Sequence, residues 1–320
     1  MQHLIVINPK SFPDKKELQK FIAYAAEVLG ETQTTILSPY PRFAISKVND
    51  FLEEATNRKE QVRVYAVGGD GILFDCLNGM VKYPEHELAS IPYGNANDFL
   101  RAFGPENVPL FRDIKLLSES PSIPTDLYRC GENYGISIAS LGIESASVLI
   151  TDKMSKRLSK MPFLRKLIPA LYTLGAVVAL FNKNLRCQYY SIEVDGEDYS
   201  GEYIGVNLGN SYGNGAKCCS NPYAMPDDGI LDAVFIKYMP FIESLFSVSG
   251  YTRGKFEKYP DRFFHLRFKK LHVSSDEPLR MCVDGEAFYT SELDVEIYPK
   301  AVRIIAPEGV TYKPFKEYLS

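Results

Sequence analysis

The sequence lacks the cysteine and histidine spacings of a zinc site. None of its six cysteines forms a C-x-x-C pair, and its four histidines are widely scattered. We therefore expect reduced thiols, most of them buried, in a cytosolic protein. The sequence also lacks an excess of positive charge, since its net charge is -4. No basic field argues for nucleic acid as a partner.

Long apolar runs and a leader-like segment are lacking as well. The longest apolar stretch, residues 167–181, contains Pro169 and is too short to span a bilayer. Residues 1–10 contain no basic segment followed by an apolar core and a cleavage site, so we expect no signal peptide. These features predict a soluble, cytoplasmic protein. The length of 320 residues predicts two domains.

The first third of the chain alternates short apolar runs with helical patterns. The apolar runs at 4–8, 34–37, 62–67 and 88–92 predict strands. Asp14 predicts the N-cap of a first helix that ends near Leu29, and residues 43–57 predict a second helix. Near-continuous apolar strands in repeated βα units predict an α/β domain over residues 1–125, built on a doubly wound, mostly parallel sheet.

The pattern changes near residues 121–126, and strand-like runs dominate from there on. These runs lie at 188–194, 202–208, 231–237, 263–274, 279–283 and 293–297. The dipeptides Asp195-Gly196 and Asp284-Gly285 are typical of hairpin turns. We expect two helical insertions, at about 145–181 and 241–249. Residues 126–304 therefore predict a β-rich, mainly antiparallel second domain.

The strongest local signal is the run Gly68-Gly69-Asp70-Gly71, which ends a predicted buried strand and begins a helix. Glycines let a backbone approach an anion closely, and amides at a helix N-terminus point toward it. A carboxylate fits beside phosphate if it holds Mg²⁺ or a network around that ion. The alternative interpretation is a tight strand-to-helix turn without a ligand.

A second glycine-containing turn follows the next predicted strand and carries Asp98. Adjacent strand ends build one crevice in an open parallel sheet, so we expect both turns to line it. Asp98 could complete a Mg²⁺ site or cap the following helix, and both roles are compatible.

Taken together, these motifs resemble the catalytic domain of diacylglycerol kinases and sphingosine kinases, above all the bacterial soluble lipid kinases. The matching segments are Asn8-Pro9, Gly68–Gly71 with Asn78-Gly79, residues 92–101 (P-x-G-x-x-N-D-F-x-R), residues 225–232 (the D-D-G-x-L segment) and Asp284-Gly285-Glu286 (the late D-G-E). The resemblance extends along the whole chain. It implies an ATP-dependent lipid kinase of NAD kinase/diacylglycerol kinase-like fold, with an active site in the interdomain cleft. It also implies that residues 305–320 return to the first domain.

The resemblance further implies ATP and Mg²⁺ as cofactors, and it implies roles for particular residues. Asp70, Asp98 and Glu286 would lie near phosphate and Mg²⁺, and Asp284 or Glu286 would be the general base. Asp228 would bind a structural Mg²⁺ with the backbone carbonyls of Met225 and Ile230. The residues implied at the nucleotide are Asn8, Pro9, Lys10, Ser11, Gly68, Gly69, Gly71, Ile72, Gly94, Asn95, Asn97 and Asp98.

The D-G-E tripeptide occurs twice, at 195–197 and at 284–286. Since Asp-Gly commonly connects two strands, the first copy reads as a plain hairpin. Only the resemblance selects the second copy as catalytic.

Three positions depart from the family pattern. Ile72 stands where Thr is usual, Phe12 where Gly is usual, and Asn95 where Thr is usual. We expect a weakened or differently tuned nucleotide site. The alternatives are a catalytically impaired homologue that binds nucleotide or lipid and, less favoured, an NAD kinase-like enzyme.

Six basic residues are concentrated between 153 and 166, just before the apolar stretch. Such a segment could dock transiently on anionic lipid at the inner face of the membrane, where the lipid substrate lies. It could equally be a solvated basic face of a packed helix. An oligomer is compatible with the sequence.

Overall fold

The structure is a computed structural model that describes residues 1–94, 96–158, 187–214 and 218–315. The strands are β1 Gln2–Ile7, β2 Gln33–Leu37, β3 Val62–Gly68, β4 Glu87–Pro92, β5 Ser122–Cys130, β6 Asn133–Gly135, β7 Ile138–Gly142, β8 Gln188–Val194, β9 Glu197–Asp198, β10 Gly201–Gly209, β11 Gly213–Asn214, β12 Cys218–Cys219, β13 Leu231–Lys237, β14 Phe263–Phe268, β15 Lys270–Val283 and β16 Glu286–Ile305. The helices are α1 Lys15–Leu29, α2 Phe43–Asn57, α3 Asp70–Met80, α4 Ile114–Glu119, α5 Ile143–Leu158 and α6 Phe241–Tyr251.

The first part of the chain is the predicted α/β unit. Its strands lie side by side in the order β4-β3-β1-β2, and all three neighbouring pairs are parallel. Asp14 caps α1 as predicted, because its carboxylate accepts a hydrogen bond from the backbone N–H of Glu17 at 2.9 Å. Buried residues dominate β3, as is typical of a strand covered on both faces.

The second part is β-rich and mainly antiparallel, which confirms the predicted fold class. Its strands follow the order β14-β13-β10-β7-β15-β16, and every neighbouring pair is antiparallel. The single strand predicted over 263–274 is wrong, since β14 ends at Phe268 and β15 begins at Lys270. The helix predicted over 241–249 is present as α6. In the insertion predicted over 145–181, α5 accounts for the residues up to Leu158, and 159–186 lie outside the described residues.

The twenty-residue strand β16 connects the two parts. It pairs with β15 near its start and runs parallel to β4 at Arg303 and Ile304. Leu293 and Val295 on it are buried in the second core, whereas Ile304 and Ile305 are buried in the first. One hydrogen-bonded sheet therefore passes through both parts. The domain limits at 125 and 304, with the return of 305–320, stay a prediction.

Across the described ranges, no helix has both the length and the apolar character that a bilayer crossing requires.

Candidate functional site

The two glycine turns touch each other backbone to backbone at the ends of β3 and β4. A Cβ atom on Gly94 would lie 2.3 Å from the Cα of Gly69, so a side chain there would have to displace the neighbouring turn. The backbone amides of Tyr93 and Gly94 both donate to the carbonyl of Gly68, at 2.8 and 2.9 Å. The two turns form one crevice, and their close approach requires glycine at position 94.

A third segment, the turn formed by Asn8, Pro9, Lys10 and Ser11, lies against Gly68. A Cβ on Gly68 would lie 3.2 Å from the Cβ of Asn8 and 3.3 Å from the Oγ of Ser11. The side chain of Asn8 accepts a hydrogen bond from the backbone N–H of Lys10 at 3.0 Å, which fixes the turn. The structure therefore brings three predicted nucleotide segments together.

Helix α3 begins at this crevice without a side-chain cap, since its N-cap residue is Gly69. The positive end of the helix dipole and the first backbone amides favour an anion at this position. Gly71 in the first turn of the helix is exposed. The start of α3 is therefore suited to a phosphate group.

Two carboxylates, Asp70 and Asp98, lie beside one another at this helix start. The side chain of Asp70 accepts a hydrogen bond from the backbone N–H of Asp98 at 2.8 Å. Burial raises the pKa of Asp70, and the charges of Asp98 and Asp284 raise it further. Asp98 is the N-cap residue of the short helical turn Phe99–Phe103, as predicted, but its side chain makes no cap hydrogen bond to that turn.

This pair fits a hard divalent cation, because a cation would offset the charge of Asp98 that raises the pKa of Asp70. Within the described ranges, no group of three or more His, Cys, Asp or Glu side chains is arranged to hold a metal. A Mg²⁺ held by Asp70 and Asp98 would thus need further oxygen ligands from phosphate and water, as Mg²⁺ commonly takes.

Both D-G-E copies are hairpin turns with the same backbone. Asp195 and Gly196 have φ values of 49° and 89°, and Asp284 and Gly285 have 46° and 92°. These left-handed pairs are typical of a type I′ turn. Local geometry therefore does not distinguish the two copies.

Their surroundings do distinguish them. The carboxylate of Asp284 accepts hydrogen bonds from three backbone amides at 2.7–3.0 Å and from the hydroxyl of Tyr128 at 3.0 Å; the amides belong to Ile136, Ser137 and Ile138. Burial raises the pKa of Asp284 to about 6, although these hydrogen bonds act in the opposite direction. The side chain of Asp195 is exposed and accepts hydrogen bonds from the backbone amides of Lys269 and Lys270.

The second D-G-E turn is packed against the start of α3. An Oε1 atom of Glu286 lies 3.6 Å from the position that a Cβ on Gly71 would take. The charge of Asp284 reaches Asp70 and raises its pKa. The structure thus assembles the three predicted catalytic residues, Asp70, Asp284 and Glu286, from two distant segments of the chain.

Two of the departures from the family pattern lie in the first core. The side chain of Ile72 is 4% exposed and packs beneath Gly68. Phe12 is 7% exposed and stacks on Tyr93 with 4.3 Å between ring centroids. Both side chains are therefore mostly shielded from solvent at the edge of the crevice.

The remaining nucleotide residues lie on the second turn. Asn97 has a left-handed backbone, with φ 49°, and its side-chain amide donates to the carbonyl of Gly94 at 2.8 Å. Its side chain therefore stabilises the turn. Asn95, also predicted at the nucleotide, lies outside the described residues.

Asp228, predicted at a structural Mg²⁺ with Met225 and Ile230, lies on a separate loop. One oxygen of Asp228 forms an ion pair with Arg267, and the other accepts a hydrogen bond from the backbone N–H of Ile230 at 3.2 Å. A cation at this loop would share Asp228 with the guanidinium of Arg267. This metal site stays a prediction.

Three residues at the site were missed by the sequence reasoning. Nη1 of Arg101 is buried, lies 4.0 Å from Asp98, and has no hydrogen-bond partner among the described residues, which suits a phosphate oxygen. The side chain of Asn78 binds the backbone of Tyr134 at 2.8 and 2.9 Å and so holds the second part against α3. Arg101 and Asn78 lie within the recognised motifs, which was an available signal. Tyr128 lies outside these motifs, and nothing in the sequence indicated that it belongs to the site.

Comparison with known proteins gives two adjoining family matches. Residues 2–130 match the diacylglycerol kinase catalytic domain, and residues 140–306 match the YegS C-terminal NAD kinase beta sandwich-like domain. A relative from Alcanivorax borkumensis, named probable lipid kinase YegS-like, is 26% identical over 255 residues, which is 77% of this chain and 79% of that protein. A relative of the same name from Xanthomonas euvesicatoria is 28% identical over 264 residues, or 76% and 78%.

Solved structures share the fold. A diacylglycerol kinase from Bacillus anthracis strain Sterne superimposes with a TM-score of 0.67 at 20% identity, covering 97% of this chain and 98% of that one. Another chain from the same strain gives 0.71 at 22% identity, with the same coverage. Because the C-terminal match alone spans more than half of the sequence, the chain belongs to the family of YegS-like probable lipid kinases, in which a diacylglycerol kinase catalytic domain precedes a YegS-type β domain.

Proposed function

We propose that this protein transfers the γ-phosphoryl group of ATP to the hydroxyl of a diacylglycerol-like lipid, in the crevice between its two parts. The observation that carries the proposal is the contact of the second D-G-E turn with the start of α3. It places Glu286 beside Gly71, and both beside a helix terminus suited to phosphate.

The nucleotide end of the crevice would be formed by backbone groups. The turn at 8–11 and the two glycine turns bind the phosphates, and Nη1 of Arg101, which has no hydrogen-bond partner among the described residues, contributes a positive charge. Asp70 and Asp98 would hold Mg²⁺, which neutralises phosphate charge when it is bound. Phosphoryl transfer depends mainly on such positioning and charge compensation.

Glu286 is the better candidate for the general base. Four donors already bind the carboxylate of Asp284, so it has little capacity left to accept a proton and acts as a positioning residue. Glu286 takes the proton of the lipid hydroxyl as the hydroxyl oxygen bonds to the γ-phosphorus. The bond from phosphorus to the bridging oxygen breaks, and ADP leaves.

The test is transfer of label from γ-labelled ATP to a panel of lipids: diacylglycerol, monoacylglycerol, phosphatidylglycerol and a sphingoid base. We expect a labelled lipid with the wild type and at least a 100-fold slower reaction with Glu286→Gln, which keeps the shape of the side chain. No labelled lipid with the wild type would favour the impaired homologue. Melting temperatures with Mg-ATP, Mg-ADP and NAD would then show whether a nucleotide binds and would identify an NAD kinase-like site.

We also propose a cytoplasmic location with transient contact to the inner membrane face, because the substrate is a lipid. The structure provides no support for a role of the basic segment 153–166 in this contact. The side chains at 153–158 and all of 159–166 lie outside the described residues.

A further inference from the structure

The strands β7 and β8 lie end to end in the sheet of the second part, with a gap between them that we call the strand break. Both strands pair with the same neighbours, β10 and β15. Along β15, residues 281–283 pair with β7 and residues 271–274 pair with β8. The chain therefore leaves the sheet after β7, at Gly142, and returns to the same line of the sheet at Gln188.

Arg280 lies at the strand break and is buried. It directly precedes the residues of β15 that pair with β7, so its backbone lies beside Gly142. The residue is 9% exposed. Its Nη2 atom donates to Oε1 of Gln188 at 3.1 Å. The side-chain amide of Gln188 donates in turn to Oγ of Ser275 at 3.0 Å and to the carbonyl of Glu277 at 3.1 Å. Gln188 thus fixes the guanidinium inside the strand break.

The charge of Arg280 is not balanced by a carboxylate. Its Nε atom is buried without a hydrogen-bond partner, and its guanidinium forms no ion pair with any side chain that the structure describes. Residues 153–186, which belong to the segment that leaves the sheet at this point, contain no Asp or Glu. Arginine does not deprotonate in proteins, and a buried charge without a partner is strongly unfavourable. The guanidinium therefore requires an anion.

A second donor reaches the strand break from β8. The hydroxyl of Tyr190 is buried and makes no hydrogen bond to the described part of the chain. It lies 3.0 Å from the position that a Cβ on Gly142 would take, so glycine leaves room for it. Burial raises the pKa of Tyr190, and the charge of Arg280 opposes that rise, which indicates that the two side chains are close. Two donors therefore face the same gap.

These two groups define the chemistry of a ligand. A guanidinium forms charge-assisted hydrogen bonds to carboxylate and phosphate oxygens, and a neutral tyrosine hydroxyl donates to a further oxygen. A cation or an apolar group would leave both donors buried and unpaired, which is costly. The ligand that satisfies both is an oxyanion.

We propose that the strand break binds an oxyanion, a carboxylate or a phosphate group, held by Nε of Arg280 and the hydroxyl of Tyr190. This site is separate from the crevice, because Arg280 precedes Asp284 by four residues, or roughly 13 Å along an extended strand. Helix α5 begins directly after Gly142, so the bound anion stabilises the point at which the inserted segment leaves the sheet. The inference does not rest on the proposed kinase activity.

Glu277 is the competing partner for Arg280. It is exposed on the irregular part of β15 beside Gln188, and its charge contributes to the raised pKa of Tyr190. If Glu277 balanced the guanidinium, its removal would leave a buried charge unpaired and would destabilise the fold. At an oxyanion site it instead repels the ligand, so its removal should strengthen binding.

The first test measures the melting temperature of the full chain against rising concentrations of inorganic phosphate at neutral pH without magnesium. A ligand of the folded state raises this temperature by mass action. Tyr190→Phe removes one donor, and Tyr189→Phe makes the same change at the adjacent residue, which is 59% exposed. We expect about tenfold weaker phosphate binding for Tyr190→Phe and unchanged binding for Tyr189→Phe.

Phosphate bound in the crevice contributes equally to both variants, so their difference reports the strand break. The same phosphate dependence in both variants, or none in the wild type, would overturn the proposal.

Two charge variants test the role of Arg280. Arg280→Met keeps the length of the side chain and removes its charge. Without phosphate it should melt at or above the wild-type temperature, because a buried unpaired charge is gone, and added phosphate should stabilise it less than the wild type. Glu277→Gln should bind phosphate more tightly than the wild type. A large loss of stability in Glu277→Gln would identify Glu277 as the partner of Arg280 and overturn the proposal. If Arg280→Met does not fold, Tyr190→Phe and Glu277→Gln still decide.

A third measurement distinguishes a free anion from a lipid headgroup. Dihexanoyl phosphatidic acid carries a phosphate group, and dihexanoylglycerol does not. Phosphatidic acid that binds at least tenfold more tightly than inorganic phosphate, with the gain lost in Tyr190→Phe, would assign a lipid headgroup. Equal binding of the two phosphates would assign a free anion. Equal binding of both lipids, unchanged in Tyr190→Phe, would overturn the role of the oxyanion.

Discussion

The side chain of Asp70 accepts a hydrogen bond from the backbone N–H of Asp98 at 2.8 Å, and this bond ties the loop after β4 to the first residue of α3. The same pair brings two carboxylates together at a site suited to phosphate. Asp70 thus makes a structural hydrogen bond and also carries a charge that is unfavourable beside Asp98. A substitution that keeps the hydrogen bond but removes the charge can separate these two effects.

Asp70→Asn should lower the phosphoryl transfer rate at least 100-fold while the fold remains intact. The amide oxygen can still accept the hydrogen bond from Asp98, but the charge that would hold Mg²⁺ is lost. Asp70→Ala is the comparison, since it also loses the hydrogen bond and should cost about 1 kcal/mol of unfolding free energy. Near-normal turnover of Asp70→Asn at wild-type stability would show that the carboxylate has no such role.

Stabilisation by Mg²⁺ should depend on pH. Burial and the charge of Asp98 raise the pKa of Asp70 to about 7, so its proton binds the folded state more tightly than the unfolded state. Its contribution to stability is therefore present at low pH and is lost as the pH rises through about 7. Added Mg²⁺ should raise the melting temperature more at pH 8 than at pH 5.5, because only the ionised pair gains from a cation. The same increase at both pH values would argue against a cation at this pair.

The two D-G-E turns form a matched pair for mutation. Asn tolerates the left-handed backbone of either turn, so Asp284→Asn and Asp195→Asn should both keep their hairpins. Asp284→Asn should lower turnover at least 100-fold, because it disturbs the network that positions Glu286. Asp195→Asn should stay within twofold of the wild type. A comparable loss in both variants would mean that Asp284 acts only through its turn.

Ile72→Thr should weaken the protein without improving the nucleotide site. The side chain is 4% exposed in the first core, so a hydroxyl there replaces buried apolar surface. We expect a loss of about 1–3 kcal/mol in the free energy of unfolding and a KM for ATP within twofold of the wild type. A several-fold lower KM for ATP would show instead that this side chain reaches the phosphates.

Chelation tests the loop around Asp228. If Asp228 binds a cation in addition to Arg267, EDTA should lower the melting temperature of the wild type and barely change that of Asp228→Ala. A wild type that is insensitive to EDTA, or equal sensitivity of both proteins, would leave Asp228 with its ion pair to Arg267 and its hydrogen bond from Ile230 but without a cation.

Local patterns determined the elements that depend on nearby residues. The helix over residues 43–57 has the bounds that its periodicity predicts, and Asp14 caps α1 through a contact three residues away. The fold class followed from the same information, because buried parallel strands and antiparallel hairpins have different sequence patterns. The motifs also indicated the family.

Only the tertiary structure decided how these elements meet. The local sequence showed no reason to prefer Asp284 over Asp195, since both occupy the same type of turn. The two differ because Asp284 accepts hydrogen bonds from the backbone amides of residues 136–138, at and just before the start of β7. Those amides lie 146–148 residues away from Asp284 in the chain. The sequence also did not show that the side chain of Ile72 packs against Gly68 and is buried. Turns and helices are fixed by neighbours along the chain, but burial and charge environment are set by contacts that only folding creates.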